Sequence, residues 1–350
     1  MDTREQQDAY SFEVWVYRPP SEGGSDSLLV RFTRNCPWNR CAFCAMYKHE
    51  RFSLRSLEEI RRDIDTIARI CRKLRTASGG NGLTREAVID LTRRHPELAN
   101  SHEYAMVVNW LAAGGKTAFV QDANSMLMKT PNLVAALTYL RDTFPSLERV
   151  TSYARSHTLA RKSAEGLKAI RSAGLDRVHV GLETGDDDLL KLIKKGVTAE
   201  EHIRGGRRAL KAGFQLSEYW MPGLGGKEHW RAHAENTARV VNEISPHYIR
   251  SRPFFPLPGT PLSEMFDNGS LTQQSPHEHL QELKVLMTGL TVNSRVCFDH
   301  AGNYWRDREG GLLFHHGYEG YKFPEEKSRV LERIEEGLQV ESVRPAMLHL

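Results

Sequence analysis

Apolar positions along the chain switch between a strand-like and a helix-like rhythm. Residues 27–33 (Ser-Leu-Leu-Val-Arg-Phe-Thr) form a short β-rich run, and residues 54–74 carry apolar side chains at helical spacing with Arg and Glu between them. A Gly-rich break at 77–82 leads into helical stretches over 84–111, interrupted near His95-Pro96 and Asn100-Ser101. A unit then recurs: strand 117–121 with helix 131–143, strand 149–153 with helix 159–173, and strand 177–181 with helices across 187–211. Strand 214–219 with helix 228–244 and a last strand at 247–252 complete the series. Six strands joined through helices imply right-handed crossovers and a parallel sheet. Six units fall short of the eight that close a barrel. The expected fold is therefore α/β, an incomplete (β/α)6 parallel barrel with a helical insertion over 77–115 and an irregular, α-rich C-terminal extension. A doubly wound sheet is the alternative, and in both folds the reactive loops follow the carboxyl ends of the strands. The expected boundaries are an N-terminal extension over 1–27, a core over 28–262, and a C-terminal extension over 263–350. That last segment has helical stretches at 277–291 and 324–338 and is a candidate substrate cap.

Composition narrows the class without naming it. Hydrophobic residues at 40% and charged residues at 26% describe a folded globular chain and exclude disordered or fibrous architectures. The net charge of +4 is spread along the chain, which permits a nucleic-acid partner without demanding one. No run approaches the roughly 18 apolar residues of a membrane span. Residues 1–10 do not read as a signal peptide or anchor, so no membrane partner is expected and the cytoplasm is the expected location. Five cysteines are present, and three of them, Cys36, Cys41 and Cys44, lie within one short stretch. Such bunching argues for metal ligation over a disulfide framework.

The stretch Cys36-Pro-Trp-Asn-Arg-Cys41-Ala-Phe-Cys44 directly follows the first strand. Three soft ligands on one compact loop can hold three irons of a 4Fe–4S cube and leave the fourth without a protein ligand. A zinc site completed by His49, or three unrelated thiols, are the competing readings; zinc favours four closed ligands, and no matching second pair is present.

This stretch resembles the cysteine signature of the radical S-adenosylmethionine (SAM) superfamily, with Phe43 in the place of its usual aromatic just before the last cysteine. One extra residue separates Cys36 from Cys41, which implies an altered loop path. The resemblance is strongest to the branch that includes oxygen-independent coproporphyrinogen dehydrogenases and methylthiotransferases, and it runs over residues 28–262. It implies a partial TIM barrel, a 4Fe–4S cluster ligated by Cys36, Cys41 and Cys44, SAM as cosubstrate, and an external electron donor such as flavodoxin or ferredoxin. It also implies a 5'-deoxyadenosyl radical acting on a small-molecule or other unidentified substrate.

A second block, Val178-His-Val-Gly-Leu-Glu183-Thr-Gly185, ends the fourth predicted strand where the family places SAM-binding polar groups. The resemblance therefore implies that Glu183 accepts hydrogen bonds from the ribose hydroxyls or the methionyl ammonium; a plain strand-to-helix turn is the competing account. Lys194-Lys195-Gly196-Val-Thr198 continues the likeness. Where the family often carries a Gly-Gly-Glu-like segment, this chain has Gln121, Asp122 and Asn124, which are acceptors for the same ammonium or simply helix-capping residues. Ser152 and Arg155 after the third strand are further candidates, Arg155 as a partner of the SAM carboxylate or as part of a surface salt bridge. Gly223 and Pro258, in the loops after the fifth and sixth strands, are placed for adenine-edge contacts.

Beyond residue 262 the resemblance thins. Cys297, Asp299, His300, Tyr304, Trp305, His315 and His316 gather donors and aromatics that could close over a substrate, while Cys71 reads as a buried small hydrophobe. A second three-cysteine cluster and an RNA-binding tail, expected of a methylthiotransferase, are not apparent. The rival from another class is a zinc- or cluster-stapled binding protein without chemistry, RNA-associated for instance.

Overall fold

The computed structural model describes residues 10–15, 26–80 and 82–340. The remaining parts of the expected terminal extensions, 1–9, 16–25 and 341–350, lie outside the described residues. In chain order the strands are β1 (Ser27–Arg31), β2 (Thr33–Arg34), β3 (Ser53–Leu54), β4 (Thr117–Gln121), β5 (Arg149–Ala154) and β6 (Arg177–Glu183). They continue as β7 (Gln215–Trp220), β8 (Tyr248–Ser251), β9 (Arg295–Cys297) and β10 (Tyr321–Lys322). Eight of them form a sheet in the order β1-β4-β5-β6-β7-β8-β9-β10, and β2 pairs with β3 separately. The registers Ser27↔Thr117, Thr117↔Arg149, Ser217↔Tyr248 and Tyr248↔Arg295 are parallel, whereas β10 runs antiparallel to β9 and β2 to β3. Neighbours follow sequence order without the reversal that marks a doubly wound sheet, so the fold is α/β of the partial-barrel kind.

Contacts divide the chain into two compact, interleaved units. Among the described residues, one comprises those within 1–37, 51–153 and 163–178, and the other those within 38–50, 154–162 and 179–340. In the first, the apolar run of β1 leaves Leu28, Leu29 and Val30 almost wholly buried, as are Phe119 and Val120 of β4. The helix Leu57–Ala77 turns Ile60, Ile64, Ile67, Ile70 and Leu74 inward, at the 3–4-residue spacing of a helical stripe. Ser56 and Glu59 start it with a reciprocal capping box. Cys71 lies on that buried stripe, as expected of a small hydrophobe. Between this helix and β4 come the helices Arg85–Arg94 and His102–Ala112, joined by a 3-10 turn at Pro96–Asn100.

The helix expected over 159–173 is two helices, Ser156–Arg161 and Ala164–Ser172. Lys162 is extended, and Ser163 caps the second helix by accepting the Gly166 amide at 2.9 Å, so a local side-chain bond outcompetes helix continuation. In the second unit, Cys297 belongs to β9, a strand not expected from the sequence, and its thiol is fully buried. Trp305, Phe298 and Phe314 are also fully buried, and the two Phe rings stack at 4.0 Å. These aromatics serve the core of the unit. Arg250 lies between the Tyr248 and Tyr318 rings, at 4.9 and 4.5 Å, and pairs with Asp299 at 2.5 Å. No helix among the described residues is long and apolar enough to cross a membrane.

Candidate active site

In the first unit, the β2–β3 ladder (Thr33↔Leu54, Arg34↔Ser53) forms the neck of the loop that carries the cysteines. Asn35, at the start of that loop, has φ 65°, a left-handed conformation that Asn tolerates better than most side chains. Its amide and side chain are engaged: the amide donates to Asp122 at 2.8 Å, the side-chain oxygen accepts from Arg31 at 3.0 Å, and the side-chain nitrogen donates to the Arg51 carbonyl at 2.8 Å. Cys36 thus follows a hinge held by three hydrogen bonds.

Behind that hinge is a buried charge network. Asp122, 3% exposed, accepts from Arg31 at 2.8 Å, and Glu13 pairs with Arg31, Arg34 and Arg55. Burial alone would raise the Glu13 carboxyl, but the three guanidiniums hold it below its ordinary value. Gln121 brackets the Trp15 backbone, accepting from its N–H at 2.9 Å and donating to its carbonyl at 3.0 Å. Ser152 donates to the Val120 carbonyl at 3.0 Å, and Asn124 is buried. Of the four polar candidates of this unit, Asp122 therefore ties the end of β4 to the cysteine-loop hinge, Gln121 ties it to the N-terminal segment, and Ser152 ties β5 to β4.

Cys41 and Cys44 lie in the second unit. The segment between them is held on both sides: the Ala42 amide donates to the Ile193 carbonyl at 2.8 Å, and its carbonyl accepts from Leu262 at 3.0 Å. Ala42 packs in a cluster with Ile193, Met221, Leu224 and Leu262, with Phe43 against it. Lys48 donates to the Cys41 carbonyl at 2.9 Å. Cys36, Cys41 and Cys44 are half-buried, and none of them is in a disulfide. Burial pushes the Cys41 thiol up, and the Lys195 ammonium works against that shift.

Glu183 ends β6 with φ 62°, an uncommon state for a residue with a side chain and one that clusters at functional sites. Its carboxylate pairs with Lys195 at 2.7 Å, both side chains about nine-tenths buried. A Cβ at Gly181 would overlap that carboxylate, so the glycine makes room for the pair. Burial alone would lower the Lys195 ammonium, but Glu183 and Cys41 hold it above the ordinary lysine value. Lys195 Nζ also lies 5.8 Å over the Phe43 ring. Arg155 donates to the Lys195 carbonyl at 2.7 Å. Glu218 on β7 is 1% exposed with neither carboxylate oxygen hydrogen-bonded; burial and the Glu183 charge push it well above the ordinary range.

Beneath these loops runs a buried relay. Thr184 meets His233 Nδ1 at 2.7 Å, His233 Nε2 lies 3.3 Å from Glu282, and Glu282 accepts the Gly223 amide at 3.1 Å. The Gly223 amide is thereby committed to Glu282, while Pro258 sits exposed in its loop. Burial raises Glu282 to about 8 and lowers His233 to about 4. Folding therefore favours protonated Glu282, and that contribution is lost as pH rises from about 4.5 to about 8. The neutral His233 works in the opposite sense from about 6.5 down to about 4, so between 6.5 and 8 Glu282 acts without it, in the same sense as the raised Glu218. Thermal unfolding should show stability falling across that window, by about 2 kcal/mol less in Glu282→Gln than in the wild type. Equal slopes in both proteins would refute the assignment.

The residue types suit a thiolate-bound cluster and a zwitterionic ligand: three half-buried thiols close together in sequence, and a carboxylate and two cations beside Cys41. Among the described residues no three of His, Cys, Asp and Glu converge as a preformed metal cage, so the fit rests on ligand type and loop. Sequence reading missed the Lys195–Glu183 pair, Glu218, Trp38 and the Glu13 network. Only the Lys-Lys-Gly likeness pointed toward one of these.

Residues 30–233 match the family model described as the radical SAM superfamily. The chain is 27% identical over 255 residues to GTP 3',8-cyclase of Pseudomonas putida (strain W619), covering 63% of this chain and 72% of that protein. It is 24% identical over 146 residues to tRNA uridine(34) acetyltransferase of Methanocaldococcus infernus, covering 39% of this chain and 26% of that one. Among solved structures, coproporphyrinogen III oxidase of Escherichia coli aligns with a TM-score of 0.47 at 13% identity, over 82% of this chain and 55% of that chain.

Proposed function

The chain belongs to the radical SAM superfamily, and from that premise we propose that Cys36, Cys41 and Cys44 are the ligands of its 4Fe–4S cluster while Glu183, Lys195 and Arg155 receive SAM. Members of this superfamily are enzymes that use both cofactors, and the substrate of this one is unspecified. When bound, the cluster and SAM together supply a 5'-deoxyadenosyl radical that takes a hydrogen atom from substrate.

The observation that carries the reading is the buried Glu183–Lys195 pair at 2.7 Å, whose lysine also acts on the Cys41 thiol. Glu183 offers an acceptor for an ammonium, and Lys195 and Arg155 offer donors for a carboxylate, the two groups that the aminoacyl end of SAM bears. Phe43 offers a flat apolar face beside Lys195, and the Ala42 cluster keeps water from the underside of the loop. Gly223 and Pro258 would border the adenine, Asp122 would hold the hinge before Cys36, and Gln121, Asn124 and Ser152 would support the strand ends behind it. Residues 28–262 would form the catalytic core, with 77–115 inserted in it and 263–350 as the substrate-facing extension. A one-electron donor such as flavodoxin or ferredoxin would supply the reducing equivalent in the cytoplasm. The acetyltransferase relative's name allows an RNA substrate beside a small molecule.

Anaerobic reconstitution with iron and sulfide, followed by SAM and dithionite, should yield 5'-deoxyadenosine. Its absence from a chain carrying a full cluster would overturn the reading. A colourless protein binding one zinc, instead of a brown one absorbing near roughly 400 nm, would favour the non-catalytic alternative.

A further inference from the structure

The four residues between Cys36 and Cys41 contain a tryptophan with more contacts than a spacer requires. Asn39 turns the chain in a left-handed conformation (φ 46°) and donates its side-chain amide to the Tyr47 carbonyl. The preceding Trp38 donates its indole Nε1–H to the Lys194 carbonyl at 2.7 Å. Its ring fills the space left by Gly196, where an added Cβ would overlap it and where φ is 68°. The Arg155 guanidinium lies 4.8 Å over the ring, and the Arg40 guanidinium 5.3 Å from it. Arg155 in turn holds the Lys195 carbonyl at 2.7 Å, and Lys195 holds Glu183. One aromatic ring therefore touches the backbone on both sides of Lys195 and the side chain of Arg155.

We propose that the four-residue spacing serves to seat Trp38 as a positioning residue, which orients Arg155 and Lys195 toward the aminoacyl end of SAM. The inference rests on the reading that these two cations receive SAM. The physical basis is twofold. A guanidinium stacked on an indole gives up rotamer freedom before the ligand arrives, so less is lost on binding. Gly196, free of a side chain, allows the ring to lie flat on the backbone that presents Lys195. Trp38 itself takes no part in chemistry.

The test compares two ligands on reconstituted protein under anaerobic conditions: SAM, and 5'-methylthioadenosine, which keeps the adenosine and sulfur but lacks the aminocarboxypropyl group. Trp38→Ala should keep its iron, bind SAM about fivefold to thirtyfold more weakly, and bind methylthioadenosine as the wild type does. Trp38→Phe, which keeps an aromatic face, should recover most of the loss. Arg155→Lys keeps the charge and removes the planar stack, so it should mimic Trp38→Ala, and the double variant should lose no more than either single one.

Equal weakening toward both ligands would reduce Trp38 to a general packing residue. Loss of iron in Trp38→Ala would assign it to the cysteine loop instead. Unchanged SAM affinity in Arg155→Lys would overturn the proposal even if Trp38→Ala failed to fold. A wild-type protein that holds no iron or does not bind SAM would instead defeat the underlying functional reading, which separates the two failures.

Discussion

Single replacement of Cys36, Cys41 or Cys44 by alanine should leave the protein without a stable cluster and reduce 5'-deoxyadenosine formation to background. A cube on three thiolates has no spare protein ligand, so each is indispensable. The remaining cysteines supply the internal control. Cys71 is 4% exposed and Cys297 is fully buried, and burial pushes both thiols up to about 12. Thiols held so firmly in their protonated form are poor ligands, and their alanine variants should keep wild-type iron content. Cys297 also lies 3.5 Å from the Tyr318 carbonyl, within a strand. Iron per chain, measured beside deoxyadenosine yield, checks the set. Loss of iron in Cys297→Ala would show that the ligand assignment is wrong.

Glu183→Gln is expected to damage both stability and SAM binding, by separable routes. The substitution strands the Lys195 ammonium, whose side chain is 12% exposed, and removing one partner of a buried pair typically costs about 3–5 kcal/mol. It also removes a charge-assisted acceptor for SAM, worth roughly 1.5–3 kcal/mol or about ten- to a hundredfold in affinity. The double variant Glu183→Gln, Lys195→Met has no stranded charge, so its melting temperature should recover toward wild type while its SAM affinity stays low. Chemical denaturation and anaerobic titration read the two effects separately. If SAM affinity is unchanged in Glu183→Gln, the carboxylate is only a partner for Lys195. If the double variant melts as low as the single one, the stranded-charge account fails.

The α/β class, the six-strand alternation and the cysteine loop were all legible in the sequence, and for local reasons. Strand and helix periods are set by neighbouring residues, and β4 falls at Thr117–Gln121 as its pattern predicts. A cluster of soft ligands within nine positions carries its chemistry in its spacing. Short-range competition was harder to read. The break at Lys162 turns on a single serine hydroxyl, and the three-residue β9 is too short to show a period. The burial of Trp305 and Phe314 is equally silent in composition, because an aromatic-rich stretch looks the same over a core as over a ligand.

By itself, then, the sequence determined which chemistry the chain can support: three thiolates after the first strand, an acid at the end of the fourth core strand, and the alternation that makes those strands parallel neighbours. Only the tertiary structure decided which partners those groups take. Glu183 meets Lys195 twelve positions later, Trp38 meets Gly196 and Arg155 across more than a hundred, and Asp122 is claimed by Arg31 and Asn35. The physical reason is that hydrogen bonds and ion pairs depend on distances of about 3 Å and on the exclusion of water. Both arise only once distant segments have packed, and neither leaves a period in the order of residues.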